Sequence, residues 1–552
     1  MISKKQLINS FKHWDMRIKF TLFLISLVAT SVLFAQGERY LDQVFDEVEV
    51  TSNVQYGENF TALFLTISGT MVKQQLLMDV YQPAGDTVKG RPLVVYLHTG
   101  NFLPIQINRG TNGTKTDSAT VEVCTRLAKM GYVVASADYR LGYNILAPTQ
   151  PERALGLINA AYRGLQDTRT CIRFFKKDFS ELGDNYGVDT SRIVVWGEGT
   201  GGYISLATAT LDDFNEVLTT TTPAGKFLTD LDGDGQPDPM VHPSINGDIY
   251  GTTTALWPGD PLGAIPAGDT MCLANHVGYS SDFQLTVNMG GALSDISWLE
   301  ADGIPMITFQ VPLDQFAPYE SAILRVPGTM DAIIEVQGGL MNITAANNLG
   351  LNDAFSEVND RYTEAARAAS ARAGHDYQEG LYPLVRGLNM FGLPEGSPWN
   401  WWEPAIWDTI PHPTPPTGFE GASFHQIGLL QNADMSAEKA RAYIDTIVGY
   451  YAPRAFVALN LGTYTDVTTV QKEDVGFVLG PNPSQGLLRM ESDASSPMQH
   501  VKVLDVSGRT VLQERNLNTS NFELNHQGVS PGMYFIEVAF DKGVIVDKVV
   551  LK

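Results

Sequence analysis

Cysteine is nearly absent from this chain, which has only 3 in 552 residues. So few thiols exclude a disulfide framework of the kind that holds small secreted domains together. Because the count is odd, at least one of Cys124, Cys171 and Cys272 is unpaired. The sequence leaves two alternatives open, one disulfide or a set of buried free thiols, and it assigns no chemistry to the sulfur atoms.

Basic residues are also in short supply. The chain has 38 Lys and Arg against 61 Asp and Glu, and its formal net charge is −23. Such a chain repels a phosphate backbone on average, so nucleic-acid binding is disfavoured. The hydrophobic content of 44% is that of an ordinary folded protein. The length allows a large core with an appended domain.

Long apolar runs are missing except near the start of the chain. Residues 20–35 are apolar, follow Arg17 and Lys19, and end on a small residue before Gln36. This layout is typical of a secretory signal peptide, which we predict over residues 1–35. Met16 offers an alternative start, and an uncleaved anchor is the alternative fate of the segment because the run is near the short limit for spanning. We expect no transmembrane segment after signal removal.

Short apolar runs alternate with helical patterns through the middle of the chain. The apolar runs occupy residues 92–98, 132–137, 193–196, 283–289 and 305–309. Helical stretches cover residues 118–130, 154–178 and 436–451. Runs of this kind are typical of strands buried on both faces of a parallel sheet. We therefore predict a doubly wound, mostly parallel α/β domain over residues 36–465, with residues 60–82 as an antiparallel entry and insertions near 213–280 and 320–410.

Three segments of this domain resemble the α/β-hydrolases, in particular carboxylesterases and lipases. They are His98-Thr-Gly-Asn-Phe102, Asp138-Tyr-Arg-Leu-Gly142 and the stretch from Asp189 to Gly202. The first follows a predicted strand, as an HGGG-type loop does, and the third looks like the strand, elbow and helix start of the family. The resemblance implies an oxyanion hole built from Thr99, Gly100 and Thr200.

The elbow departs from the family pattern at its central position. The segment Gly197-Glu-Gly199-Thr-Gly201 has glycine where G-x-S-x-G requires the nucleophilic serine, and glycine has no side chain to acylate. The resemblance places the other triad members at Asp314, after a predicted strand, and at His425, with His412 as the alternative. Thr200 and Ser205 are alternative nucleophiles, since an activated hydroxyl needs only a base within hydrogen-bond reach.

An acidic loop in the first insertion has the spacing of a calcium site. Its oxygen donors are Asp230, Asp232, Asp234, the backbone carbonyl of Gln236, and Asp238, with Gly235 at the sharp turn. Hard Ca²⁺ binds that many oxygen ligands. Position 12 is Val241 rather than the bidentate Glu of an EF-hand, so the loop looks like those of dockerin-type and thrombospondin-type repeats. We predict a structural Ca²⁺ here; a solvated acidic turn without metal is the alternative.

The second insertion combines a predicted helix with a cluster of tryptophans. The helix is expected over 353–374, and the cluster spans Ser397 to Trp402. Insertions at this place form lids in the family that the chain resembles. The aromatic side chains would line a pocket or stack on a sugar ring; the alternative is packing in the core of the lid.

The last 77 residues change character. Residues 476–552 contain short β-type runs between Gly, Pro and Asn turns, which predicts a small all-β sandwich. Four segments, at 481–486, 503–509, 530–534 and 548–552, resemble the type A sorting domain of type IX secretion. The resemblance implies that the secretion machinery is a partner and that the protein is delivered to the cell surface or released. A structural or carbohydrate-binding β module is the alternative.

These features leave three hypotheses for function. The first is an exported α/β-hydrolase-fold protein that is catalytically impaired and retains a pocket for a small ester-like or glycan ligand. The second is an active hydrolase that uses a non-standard nucleophile or chemistry run by His425 and Asp314. The third is a structural cell-surface protein. Gly199 favours the first and third hypotheses over the second.

Overall fold

The structure is a computed structural model that describes ten stretches of the chain. They are residues 38–63, 71–145, 147–230, 234–256, 268, 270–325, 331–462, 470–505, 510–541 and 543–552. The predicted signal peptide lies outside the described residues. Among those residues, no helix has the length and apolar character needed to cross a membrane. The chain divides into two compact units, one of residues 1–355 with 372–461 and the other of residues 356–371 with 462–552.

A sheet of eight strands organises the first unit. The strands are β1 (Val48–Thr61), β2 (Val72–Pro83), β3 (Arg91–Leu97), β4 (Val133–Ala137), β5 (Val188–Glu198), β6 (Leu285–Met289), β7 (Met306–Gln310) and β10 (Leu381–Pro383). Between β7 and β10 in sequence, β8 (Ser321–Arg325) and β9 (Ala332–Gln337) form a separate antiparallel hairpin. All residues of β3, β4, β6 and β7 are buried, as expected for strands covered on both faces.

The strand order is β1-β2-β4-β3-β5-β6-β7-β10. β1 and β2 pair antiparallel, as do β2 and β4, and all the other neighbours are parallel. The predicted doubly wound, mostly parallel sheet with an antiparallel entry is therefore confirmed. The carboxyl ends of β3, β5, β6 and β7 lie side by side at one edge, which is where open α/β sheets bind ligands.

The main helices are α1 (Ser118–Lys129), α2 (Gln150–Lys177), α3 (Thr200–Thr210), α4 (Gly339–Asn348), α5 (Arg361–Ala373), α6 (Phe424–Gln431) and α7 (Ala437–Ala458). α5 falls almost entirely in the second unit, and the others belong to the first. α2 starts at a capping box, in which Thr149 and Glu152 satisfy each other's backbone N–H groups. Helix α5 starts later than the sequence predicts. The expected helix over 353–374 begins only at Arg361, because the Asp360 carboxylate accepts the Thr363 N–H at 2.8 Å and caps it there.

Many of the buried side chains of α2 are polar or charged. Asp167 is fully buried and lies 2.9 Å from Arg140, which follows β4. Gln166 donates to the carbonyls of Asn246 and Asp248 at 2.9 and 2.7 Å, and Arg169 donates to the carbonyl of Ile249 at 2.8 Å. The first insertion is thus held to α2 by side chains that satisfy its backbone carbonyls.

The second unit contains the predicted all-β sandwich. Its strands are β11 (Val478–Gly480), β12 (Leu487–Glu491), β13 (Met498–Leu504), β14 (Thr510–Thr519), β15 (Asn521–Asn525), β16 (Gly532–Phe540) and β17 (Gly543–Leu551). They form a three-stranded sheet, β11-β12-β15, and a four-stranded sheet, β14-β13-β16-β17. Leu488 of the first sheet and Val501 and Ile536 of the second belong to one buried core, so the two sheets pack face to face.

All three cysteines are free and buried. Of the two alternatives left open by the sequence, the structure has the set of free thiols. Burial raises the pKa of Cys124 and of Cys171 above the usual range of a thiol, so neither is a reactive thiolate at neutral pH.

Candidate functional site

Gly199 forms the apex of a sharp turn between β5, which ends at Glu198, and α3, which begins at Thr200. Its backbone has φ 53° and ψ −114°, in a region that favours glycine. The Gly199 N–H donates to the carbonyl of Met289 at 2.8 Å, which ties the turn to the end of β6. The structure thus places residue 199 where strand, turn and helix meet, as the sequence predicts.

The space beside Gly199 is filled by Thr99, the second residue after β3. A Cβ atom added to Gly199 would overlap the Thr99 Oγ1 and lie 2.8 Å from the Thr99 Cβ. The Thr99 hydroxyl therefore takes up the room that a serine side chain at position 199 would need. Glycine at 199 and threonine at 99 fit one another, and a larger residue at 199 requires Thr99 to move.

The loop predicted to form the oxyanion hole faces the same space. Thr99, Gly100 and Thr200 line one cavity together with Gly199. Thr200 is the first residue of α3, so its N–H has no acceptor within the helix. The Tyr139 hydroxyl donates to the carbonyl of His98 at 2.9 Å and lies 3.0 Å from the Thr200 Oγ1. Tyr139 thus connects the loop after β3 to the start of α3. These residues thus border the cavity where the resemblance implies an oxyanion hole, and that role stays a prediction.

Ser205, one of the two alternative nucleophiles, points away from this space. It is fully buried, and its hydroxyl lies 3.0 Å from the carbonyl of Gly202 and 3.1 Å from that of Val287. Its hydroxyl therefore packs against the sheet under α3. Thr200, the other alternative, lines the cavity, and its hydroxyl forms a hydrogen bond with the hydroxyl of Tyr139.

Asp314 lies in the loop after β7 and lines the same cavity. Its Oδ1 accepts the backbone N–H groups of Phe316 at 2.8 Å and Ala317 at 3.4 Å. Burial raises the pKa of Asp314 to about 7, although these two N–H groups act to lower it. A Cβ on Gly396 would lie 2.6 Å from Asp314 Oδ1, so the backbone of the second insertion packs directly against the carboxyl group.

Neither candidate histidine meets Asp314. His425, on α6, accepts a hydrogen bond at its Nδ1 from the Trp402 Nε1 at 3.1 Å. The Nε2 of His412 lies 3.4 Å from the carbonyl of Arg109, and its ring packs on Phe424 with centroids 4.8 Å apart. Within the described residues, no histidine forms a hydrogen bond or ion pair with Asp314. The structure therefore brings together Thr99, Gly100, Gly199, Thr200 and Asp314 but not a triad.

Two residues that the sequence did not single out individually support this edge of the sheet. Glu198 is buried, and its carboxylate accepts hydrogen bonds from the Tyr96 hydroxyl and the Trp399 Nε1, both at 3.0 Å. Burial raises the pKa of Glu198. Trp399 is fully buried and its ring packs beside Gly290, whereas Trp402 from the same cluster lines the cavity. The tryptophan cluster thus serves both of the roles considered for it, core packing and pocket lining.

The cavity has a volume of about 810 Å³. Its polar end is formed by the elbow, the oxyanion loop and Asp314. The loop at 101–112 and residues 393–432 contribute polar side chains, among them Asn108, Asn400 and Asn432. The apolar walls come from α2, α3, the first insertion and the β8–β9 hairpin. Side chains from those walls include Leu157, Leu165, Ile204, Leu211, Val217, Phe227, Trp298, Leu324, Ile334 and Val336. A ligand here would have an apolar body and a small polar group.

The candidate calcium loop is closed by its own hydrogen bonds. The Asp230 Oδ2 accepts the Gly235 N–H at 3.0 Å, and the Asp234 Oδ1 accepts the Gln236 N–H at 2.7 Å. Asp238 pairs with Thr229 in a short antiparallel bridge. Asp232 lies outside the described residues, and the residues that are described hold no group of three or more His, Cys, Asp or Glu side chains suited to a metal. The calcium site stays a prediction.

The fold and this edge of the sheet define an esterase-like α/β-hydrolase domain. Residues 78–229 match the family model BD-FAE. Residues 479–552 match a second family model, described as a secretion system C-terminal sorting domain. The chain therefore contains an esterase-like α/β-hydrolase domain and a C-terminal type IX sorting domain, which directs export to the cell surface or the outside.

Solved structures with a similar fold are esterases of low identity. Thermogutta terrifontis esterase 2 phosphorylated by paraoxon is 16% identical, with 50% of this chain and 74% of that chain covered and a TM-score of 0.28. A truncated carbohydrate esterase from gut microbiota is 14% identical, with 55% and 84% covered and a TM-score of 0.29. A search of curated proteins found no match. Likeness at this level carries no argument about the chemistry of the site.

Proposed function

We propose that this exported protein binds a small carbonyl-containing ligand in the cavity beside Gly199 and does not form an acyl-enzyme at the elbow. The observation that carries the proposal is the elbow itself. Gly199 keeps the sharp turn, at φ 53°, but has no hydroxyl, and the Thr99 side chain occupies the space that one would need. An acyl-enzyme requires a nucleophile at a position that a base can reach.

The surroundings of Asp314 support the same proposal. A serine hydrolase uses its acidic residue to orient a histidine, which in turn takes the proton from serine. Here the described partners of the Asp314 carboxyl group are backbone N–H groups, and Gly396 packs against it. Without a histidine between Asp314 and residue 199, a serine at 199 would also lack its base.

The retained parts of the site favour binding. Thr200 still offers the free N–H of a helix start, and Gly100 lies beside it in the cavity wall. These groups suit a carbonyl oxygen. The apolar walls from α2, α3 and the β8–β9 hairpin suit the alkyl part of an ester-like ligand, which is the ligand class that we propose here.

The proposal is tested by measuring chemistry and binding on the same purified protein. We expect no turnover of p-nitrophenyl butyrate and no labelling by a fluorophosphonate probe, together with saturable binding of nonan-2-one, a carbonyl compound that cannot be hydrolysed. Gly199→Ser should gain no turnover, because no base contacts position 199. Labelling at Thr99 or Thr200 would instead support a hydrolase with a non-standard nucleophile.

Failure to bind nonan-2-one would support the third hypothesis, a structural cell-surface protein. A matched control is Leu157→Trp, which fills the apolar part of the cavity from α2 without touching the elbow. If the cavity is the binding site, this variant should lose ketone binding. If binding survives the substitution unchanged, the ketone binds elsewhere and the proposal is refuted.

A further inference from the structure

Asp314 is an acid without a counter-charge in the wall of a ligand cavity. Its carboxyl group accepts two backbone N–H groups from its own loop, and no basic side chain contributes to its electrostatic environment. In a triad this group would be covered by an imidazole, but here the space against it is taken by the Gly396 backbone, and the rest of the group faces the cavity. A ligand in the polar end would meet the carboxyl group directly.

The elbow and Asp314 are close neighbours across the end of β6. The Gly199 N–H donates to the carbonyl of Met289. The next residue is Gly290, and a Cβ atom added to it would lie 3.8 Å from Asp314 Oδ2. A polar group bound by the oxyanion loop therefore lies beside the carboxyl group. If that polar group were a carboxylate, two negative charges would share one desolvated site.

The groups that face Asp314 do not supply a compensating cation. From α3, Tyr203 donates its hydroxyl to the Phe316 carbonyl at 2.9 Å, and from the elbow Glu198 is held by hydrogen bonds to Trp399 and Tyr96. The second insertion contributes Glu395, which is an acidic residue and so supplies no positive charge.

Glu395 is already paired: it accepts the Lys439 Nζ at 2.7 Å and the Arg386 Nε at 2.8 Å. The basic side chains among the described cavity-lining residues are Arg109 and Arg325, and both are exposed to solvent. They can attract an anion to the cavity mouth but do not neutralise one at Asp314.

We infer that Asp314 selects ligands by charge: the cavity takes an uncharged carbonyl compound directly and an apolar carboxylate only together with one proton. The inference rests on the proposed ligand-binding function of this cavity. It specifies the chemical class of the ligand, neutral carbonyl compounds. It also gives Asp314 a role, which is to contact the ligand instead of orienting a histidine. Asp314 in its neutral form donates a hydrogen bond to a bound carboxylate, and the pair shares a single negative charge.

The test compares octanoate with nonan-2-one, which carry the same seven-carbon chain, by titration calorimetry between pH 6 and pH 9. Burial raises the pKa of Asp314 to about 7. The octanoate Kd should rise roughly 50-fold from pH 7 to pH 9, approaching tenfold for each pH unit well above pH 7, because each binding event must take up a proton. The ketone Kd should change far less over the same range.

Asp314→Asn should make octanoate binding independent of pH, since the amide keeps a donor and cannot ionise. Asp302→Asn, at an exposed carboxyl group elsewhere in the domain, is the matched control and should keep the full pH dependence. A measurement that needs no variant is calorimetry at pH 8 in two buffers of different ionisation enthalpy. It should give uptake of close to one proton per octanoate and none per ketone.

The outcomes separate the two proposals. If neither compound binds, the proposed ligand-binding function fails. If the ketone binds but octanoate shows a flat pH profile without proton uptake, the function stands and the role of Asp314 is refuted. That second result would place the octanoate carboxylate at the cavity mouth, near Arg109 and Arg325.

Discussion

The fit between Gly199 and Thr99 can be measured as a coupling free energy. The perturbation is Gly199→Ala, which adds one methyl group to the apex of the elbow and no chemistry. That methyl carbon would overlap the Thr99 Oγ1 and lie 2.8 Å from the Thr99 Cβ. Thr99→Gly removes both of those atoms, so the two substitutions together should cost less than the sum of their separate effects.

Two terms contribute to the cost of Gly199→Ala. An L residue at φ 53° loses roughly 1–2 kcal/mol relative to glycine, and forcing an extra methyl into a packed site costs about 1–3 kcal/mol. Gly90→Ala is a reference for a Cβ added at positive φ, since Gly90 has φ 72° and nothing within 4 Å of its added Cβ. The clash with Thr99, about 1–3 kcal/mol, is isolated by comparing Gly199→Ala in the parent with the same substitution in Thr99→Gly, because the backbone term at 199 is common to both.

The assay is urea unfolding of the parent, the two single variants, the double variant and the Gly90→Ala control. We expect a coupling of about 1–3 kcal/mol in favour of the double variant. The reasoning is refuted if Gly199→Ala destabilises no more than Gly90→Ala, or if Thr99→Gly leaves the cost of Gly199→Ala unchanged. Either result would mean that Thr99 turns away freely and does not fill the nucleophile position.

Three further predictions concern stability. Folding raises the pKa of Asp314 from 3.8 to about 7, so its favourable contribution is complete below pH 3.8 and is lost as pH rises through 7. The free energy of unfolding of Asp314→Asn, relative to that of the parent, should therefore increase by up to about 2–4 kcal/mol between pH 4 and pH 8. Thermal unfolding measures this, and an equal difference between variant and parent at both pH values would contradict it. Asp167→Ala should lose about 3–5 kcal/mol in urea unfolding, because Arg140 is left buried without its partner; a loss below about 1 kcal/mol would argue against that burial cost. Chelation of Ca²⁺ should lower the Tm of the parent but not of Asp234→Ala, and an unchanged parent Tm would count against the metal.

Most of the first unit could be predicted from the sequence because its strands are short apolar runs buried on both faces. The runs at 92–98, 132–137 and 305–309 correspond to β3, β4 and β7 with shifts of one residue at their ends. The end of α7 could not be predicted. Pro453 normally ends a helix, and the pattern indicates an end at 451, but the helix continues to Ala458 with its last turns buried. Tertiary packing there outweighs the lost backbone hydrogen bond.

The sequence could not predict that neither candidate histidine would lie beside Asp314. Family order selects a histidine before the last long helix, and His425 and His412 both satisfy that criterion. Whether either one reaches Asp314 depends on the path of residues 384–423, which are mostly irregular, and such a path leaves no periodic signal. In the structure, that path brings the backbone at Gly396 to the carboxyl group and turns His425 towards Trp402.

Three features of this site are consistent with one another and with the proposed binding function. Gly199 lacks a nucleophile, Thr99 fills the space that a nucleophile would use, and Asp314 is packed against Gly396. Restoring the serine alone would meet a steric clash on one side and find no base on the other. The oxyanion loop and the cavity need neither group, because backbone N–H donors and apolar walls bind a carbonyl compound without a covalent step. Under the proposed function, this edge of the sheet serves recognition without acyl chemistry, and Asp314 contacts the ligand instead of orienting a histidine.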